Sequence, residues 1–101
     1  MRSASIHDLK AALDGGEVEV VDVREPYEFA EGHVPGARLV PLRTVPQHVP
    51  EFSTDRPVFF ICQVGARSAQ AAQFLAHHGV DAVNVEGGTG DWVAAGYPVE
   101  R

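Results

Sequence analysis

The spacing of apolar positions changes several times along the chain, and each change marks an element. Ile6, Leu9 and Leu13 recur at helical spacing. Ser5 stands just before them with Asp8 three residues on, a capping-box arrangement that supplies partners to two free backbone N–H groups. Gly15-Gly16 stops this helix. Glu17 to Val23 is rich in valine with acidic residues interleaved and reads as a strand. Arg24-Glu25-Pro26 ends it. Pro26 can open a short helix through Glu31, since the first helical turn has no use for the N–H that proline lacks. Gly32, Pro35 and Gly36 mark a turn, and Ala37 to Val40 predicts a short strand. Pro41 to Pro57 holds four prolines and predicts a loop with one helical turn or two at most.

Val58-Phe59-Phe60-Ile61 is a continuous apolar run after a proline. That pattern suits a strand buried on both faces of a parallel sheet, and Cys62 stands at its C-terminal end. A helix is predicted from about Arg67 to His78, with Ala69, Ala72, Leu75 and Ala76 on one face and Gly79 as its stop. Ala82 to Val85 predicts another strand. Gly87-Gly88 is a turn, and a short helix from about Gly90 to Ala95 ends at Gly96, before Pro98. Phe74 and Trp92 are expected in the core. Strands alternate with helices across short loops, which predicts one α/β domain over residues 1–101, with a mostly parallel sheet and helices on both faces.

Composition narrows the function. The formal net charge is -6 and the eight Lys and Arg residues are scattered, so the surface repels nucleic acid and anionic membranes. No apolar stretch is long enough to span a bilayer. The residues after Met1 lack the apolar core of a signal peptide, so a cytoplasmic location is expected. A lone cysteine excludes an intramolecular disulfide and a Cys-rich zinc or iron–sulfur site.

The chemistry converges on that cysteine. Gln63-Val64-Gly65-Ala66-Arg67-Ser68 follows Cys62 and leads into the helix. A tight loop entering a helix turns several backbone N–H groups toward one concavity. The positive end of the helix dipole adds to their field. Gly65 allows a backbone conformation closed to other residues, and Arg67 adds a positive charge. Each feature favours a thiolate over a thiol, and the thiolate is the nucleophile. No histidine lies near Cys62 in sequence, and this route to activation needs none. A buried, inert Cys62 at a strand end is the competing reading.

The chain resembles the rhodanese family in four stretches. Asp22-Val23-Arg24-Glu25 resembles its first-strand motif. Glu28-Phe29 with Gly32-His33-Val34-Pro35-Gly36-Ala37 resembles the segment that follows. Cys62 to Ser68 resembles the active-site loop, and Gly87-Gly88, Trp92 and Gly96-Tyr97-Pro98 resemble the C-terminal signature. The resemblance runs from about residue 5 to residue 99 and implies a five-stranded sheet. It also implies sulfur transfer: Cys62 takes a sulfane sulfur from a small donor such as thiosulfate and passes it to a thiophilic acceptor, cyanide or a thiol. Gln63, Val64, Gly65, Ala66 and Ser68 would cradle the persulfide with their amides, and Arg67 would share in meeting the donor's charge. No metal or organic cofactor is implied. Sulfur-transferring members have four residues between the cysteine and the arginine, as here, whereas related phosphatases of the same fold have five. Gln63 and Val64 are neutral where efficient thiosulfate users often carry basic residues, which implies weaker binding of a dianion. Delivery of the persulfide sulfur to a partner protein is the alternative, with a Cys-dependent phosphatase the less favoured one.

Other polar residues have structural expectations. His33 is read as a structural histidine tying its turn to the strand before it. Asp22 and Arg24 are read as loop-holding groups, with Arg24 a candidate partner of Glu28. His77 and His78 suit a helix C-terminus, and Gly87-Gly88 suits a backbone requirement near the site.

Overall fold

The computed structural model describes residues 1–16 and 18–101 of the chain. Its elements are β1 (Arg2–Ala4), α1 (Ile6–Asp14), β2 (Glu19–Asp22), α2 (Pro26–Glu31), β3 (Arg38–Leu39), a 3-10 helix (Leu42–Glu51), β4 (Val58–Ile61), α3 (Ala66–Ala76), β5 (Ala82–Val85) and α4 (Gly88–Ala94). The five strands form one sheet in the order β1-β5-β4-β2-β3, with every one of these pairings parallel. β4 is therefore central, and the loop leaving its C-terminal end is flanked by strands on both sides. Among the described residues, no helix is long and apolar enough to cross a membrane.

The apolar run of β4 is explained by two cores, one on each face of the sheet. Val58, Phe60 and Cys62 lie in a cluster with Ala71, Ala72 and Leu75 of α3 and Val45 of the 3-10 helix. Ile61 lies in a second cluster with Ile6 and Leu9 of α1 and Trp92 of α4, and Phe59 packs against it. A strand with both faces covered needs apolar residues at successive positions. The period of two then fixes the side on which Cys62 lies: it is in phase with Val58 and Phe60, so it joins the α3 side.

Several expectations need correction. β1 carries no strand signature, because it is a three-residue edge strand with Arg2 and Ser3 exposed; its pairing to β5 makes it the fifth strand. The second strand is shorter than Glu17 to Val23, and Glu17 lies outside the described residues. The proline-rich stretch holds ten residues of 3-10 helix, more than one turn or two. Pro46 and Pro50 sit inside it. Proline prevents a regular α-helical ladder, yet successive i+3 turns can accommodate it. α3 starts at Ala66, and its buried face is Ser68, Ala71, Ala72 and Leu75, leaving Ala69 and Ala76 half-buried. α4 begins at Gly88, two residues before the expected start. Trp92 is fully buried as expected, with its indole N–H donating to the Pro98 carbonyl at 2.8 Å. Phe74 is not core; it is 37% exposed on α3.

Leu75 and Phe74 are adjacent on α3 but face opposite environments, and stability should separate them. Leu75→Ala is expected to cost roughly 2–5 kcal/mol in chemical denaturation, because it opens a cavity in a fully buried cluster. Phe74→Ala is expected to stay within about 1 kcal/mol.

Candidate active site

The loop from Cys62 to Ser68 is held from behind by α4. The Thr89 amide donates to the Cys62 carbonyl at 2.8 Å, and the Gly90 amide donates to the Gln63 carbonyl at 3.0 Å. In a planar trans peptide the N–H points opposite to the C=O. Tying these carbonyls to α4 therefore turns the following N–H groups toward the interior of the loop. The approach is so close that a Cβ on Gly88 would lie 2.5 Å from the Cys62 carbonyl oxygen, and Gly88 has a φ of +61°. The expected backbone requirement at Gly87-Gly88 is thus met at a specific contact. Gly65 reverses the chain at a φ of 107° and caps the start of α3.

Inside the loop lies the sulfur. Cys62 is only 1% exposed. The Gly65 amide donates to Sγ at 3.1 Å, and the Ser68 hydroxyl lies 3.3 Å from it. Burial pushes the thiol pKa up. The Ser68 hydroxyl pulls it down, as do the amides of Ser68, Gly65 and Val64. These donors prevail, and the pKa lies below that of an ordinary cysteine. The side chain is therefore sealed from solvent yet surrounded by donors aimed at an anion. Ala66 and Gln63 complete the loop. The Gln63 side chain points away from this cradle and accepts from Arg24 Nη1 at 3.1 Å.

Arg67 is placed differently from a free anion-binding cation. Its Nη1 and Nη2 donate to Glu28 Oε1 and Oε2, both at 2.8 Å, in a two-pronged pair. The Arg67 guanidinium beside Glu28 is the main reason that carboxyl titrates at about 2. In return, Glu28 pushes the Arg67 pKa up. Glu28 also accepts from the Glu25 amide at 3.0 Å, which fixes it at the start of α2. Arg24 does not pair with Glu28. It is buried against Asp22, with Nη2 to Oδ2 at 2.9 Å, and also donates to the Gly32 carbonyl at 2.9 Å. Asp22 and Arg24 thereby hold the loops after β2 and before β3, as expected of loop-holding groups.

His33 has a structural role, with different partners from those expected. Its ring stacks on Phe29 at 3.6 Å, and its Nδ1 lies 2.8 Å from the Phe29 carbonyl oxygen. Its backbone pairs with Glu100 instead of the preceding strand. His78 Nδ1 lies 2.9 Å from the Phe74 carbonyl oxygen at the end of α3.

A cleft of about 460 Å³ opens beside the loop. Val23, Val45 and Ala71 line it and belong to the same buried cluster as Cys62, while Arg67 and Phe74 form part of its wall. Sequence reasoning missed two residues of the site. Glu28 was within reach as an acidic residue in a recognised motif, but its partner lies 39 positions away. Asn84 reaches Ser68 from β5 at 2.6 Å, and its only signal was an amide side chain among valines.

These features define a class: a parallel α/β domain that presents a cysteine sulfur to a ring of main-chain amides at the carboxyl end of its central strand. Residues 5–95 match the Rhodanese-like domain family, and the chain belongs to it. Over 77 residues it is 43% identical to the uncharacterized protein YqhL of Bacillus subtilis, covering 75% of this chain and 61% of YqhL's length. It is 38% identical to a sulfurtransferase of Allochromatium vinosum, covering 85% of this chain and 81% of that protein. It is 30% identical to thiosulfate sulfurtransferase GlpE of Pseudoalteromonas translucida, covering 90% and 88%. The crystal structure of SSP1007 from Staphylococcus saprophyticus superposes with a TM-score of 0.90 over 100% of both chains, at 39% identity.

The Glu28–Arg67 pair makes a testable contribution to pH stability. The Glu28 carboxyl lies below its ordinary 4.5, at about 2 in the folded chain. Its contribution is therefore full above about pH 4.5 and is lost as pH falls through about 2. Arg67 is 37% exposed, so solvent screens part of it. Wild type is expected to exceed Glu28→Gln in stability at neutral pH. Urea denaturation across pH should show the difference shrinking over that acid window.

Proposed function

We propose that the protein is a sulfurtransferase in which Cys62 carries a sulfane sulfur as a persulfide. The observation that carries this reading is the Cys62 sulfur itself, with the Gly65 amide at 3.1 Å and the Ser68 hydroxyl at 3.3 Å. In the first half-reaction the Cys62 thiolate attacks the outer sulfur of a donor such as thiosulfate. An S–S bond forms, the bond to the sulfonate sulfur breaks, and its electron pair leaves with sulfite. In the second half-reaction a thiophilic acceptor attacks the terminal sulfur, and the thiolate departs with the pair of the broken S–S bond. Cyanide would leave as thiocyanate, and a thiol as its persulfide. The amides of Val64, Gly65 and Ser68, with those of Gln63 and Ala66 in the same loop, are the groups to meet the terminal sulfur anion.

Charge pairing bears on the donor. Arg67 is engaged by Glu28, Arg24 by Asp22, and Arg43 lies 3.5 Å from Glu25. A dianion entering here meets cations already matched by carboxylates, so thiosulfate is a working but inefficient donor. The name of the Pseudoalteromonas relative supports thiosulfate as a donor class. A second reading, delivery to a protein thiol, is favoured by one observation. Val64 at the loop tip is 70% exposed and Tyr27 is 71% exposed, an apolar display that a small acceptor does not need.

Intact-mass measurement after incubation with thiosulfate is expected to show a gain of one sulfur, and cyanide should remove it. Cys62→Ser should show no gain. A gain retained by Cys62→Ser would overturn the assignment of the sulfur carrier.

A further inference from the structure

Ser68 is fully buried, and three acceptors surround its hydroxyl. Asn84 Oδ1 lies at 2.6 Å, Cys62 Sγ at 3.3 Å and the Gly65 carbonyl oxygen at 3.3 Å. A hydroxyl has one hydrogen, so it serves one of these well at a time. At 2.6 Å the hydrogen goes to Asn84, and the Ser68 oxygen is left to accept from the Cys62 S–H. That arrangement suits a neutral thiol. A thiolate would face an oxygen lone pair, and it is better served when the hydroxyl turns toward the sulfur. The Ser68 oxygen then needs a donor in the place that Asn84 Oδ1 occupies. A carboxamide can provide one by turning about its last bond, because its carbonyl and NH₂ edges have nearly the same shape.

Asn84 stands out in its strand. It is a buried amide in the strand Ala82–Val85, with Val83 before it and Val85 after it. It is in phase with Ala82, which faces the α3 side of the sheet. Its side chain makes one hydrogen bond among the described residues, the one to Ser68. Burying most of an amide in an apolar strand costs free energy, and the bond to Ser68 is the protein contact that offsets it.

We propose that Asn84 is a positioning residue for Cys62: its amide sets whether the Ser68 hydroxyl points toward the sulfur or away from it. With the carbonyl edge forward, Ser68 donates to Asn84. With the NH₂ edge forward, Asn84 donates to Ser68, and Ser68 donates to the sulfur anion. Chained hydrogen bonds of this kind strengthen one another. Burial raises the Cys62 pKa, and the Ser68 side chain is the largest of the contributions that lower it, which makes the direction of this hydroxyl matter. The proposal rests on Cys62 being the reacting sulfur, as argued above, but its test does not depend on sulfur transfer.

The test is the pH profile of alkylation of the lone thiol. Asn84→Leu keeps the branching and the number of heavy atoms and removes both polar edges. It should displace the profile to higher pH and slow alkylation below the midpoint about three- to tenfold. In a Ser68→Ala background the same substitution should cause no further displacement. A profile unchanged by Asn84→Leu, or an equal displacement in both backgrounds, overturns the proposal. A measurement on the wild type needs no variant to fold: the NMR shifts of the Asn84 side-chain NH₂ should follow the same midpoint as alkylation, and shifts that stay constant through it overturn the proposal. Absence of persulfide after thiosulfate treatment, with the displaced profile intact, would remove the sulfurtransferase reading and leave the role of Asn84 standing.

Discussion

The outward commitment of two carbonyl groups, those of Cys62 and Gln63, underlies the rest of the site. Both are bound by amides at the start of α4. Because each peptide is planar, this leaves the inner side of the loop to N–H groups. The cysteine sulfur occupies that inner side. Glycine is required where α4 meets the loop, since even a methyl group at Gly88 would strike the backbone of Cys62 and Gln63. The fold serves this contact by placing β4 at the centre of the sheet, between β5 and β2. β5 leads directly into α4, so strand order and loop geometry are a single arrangement.

A consequence is that the sulfur is held by dipoles, while the nearby charges cancel in pairs. Arg24, paired with Asp22, ties its segment to Gly32 and Gln63, and Glu28 with Arg67 ties α2 to the cysteine loop. A buried or half-buried ion pair satisfies its own charges and offers less to an incoming ligand. Preorganised amides act at short range and need no rearrangement when charge appears on the sulfur. Such a ring suits one atom carrying one negative charge, which describes a thiolate or the end of a persulfide. On the proposed reading, this is the ground for a sulfur relay over the tight capture of a dianion.

Most of the fold was legible because its signals were local. The valine-rich second strand, the apolar run of β4 and the capping box at Ser5 and Asp8 each depend on neighbours in sequence. What escaped depended on distant partners. Arg2–Ala4 becomes a strand only because β5 offers it an edge. Phe74 has the composition of a core residue, but the phase of α3 is set by Ser68, Ala71 and Leu75, which turns Phe74 outward. At the site, Cys62, Gly65 and Ser68 could be read from the loop, since strand, cysteine, glycine and helix stand in order. The partner of Arg67 and the contact of Asn84 with Ser68 could not, because they bridge 39 and 16 positions and follow from the way α2 and β5 meet the loop.

Donors around a buried sulfur outweigh the cost of its burial. With one cysteine in the chain, a titration of thiolate ultraviolet absorbance in the native protein reads that balance directly. A midpoint below that of a free cysteine is expected, returning to the ordinary value on unfolding in denaturant. A native midpoint at or above the unfolded one would show that burial prevails, and the amide ring would no longer explain the site.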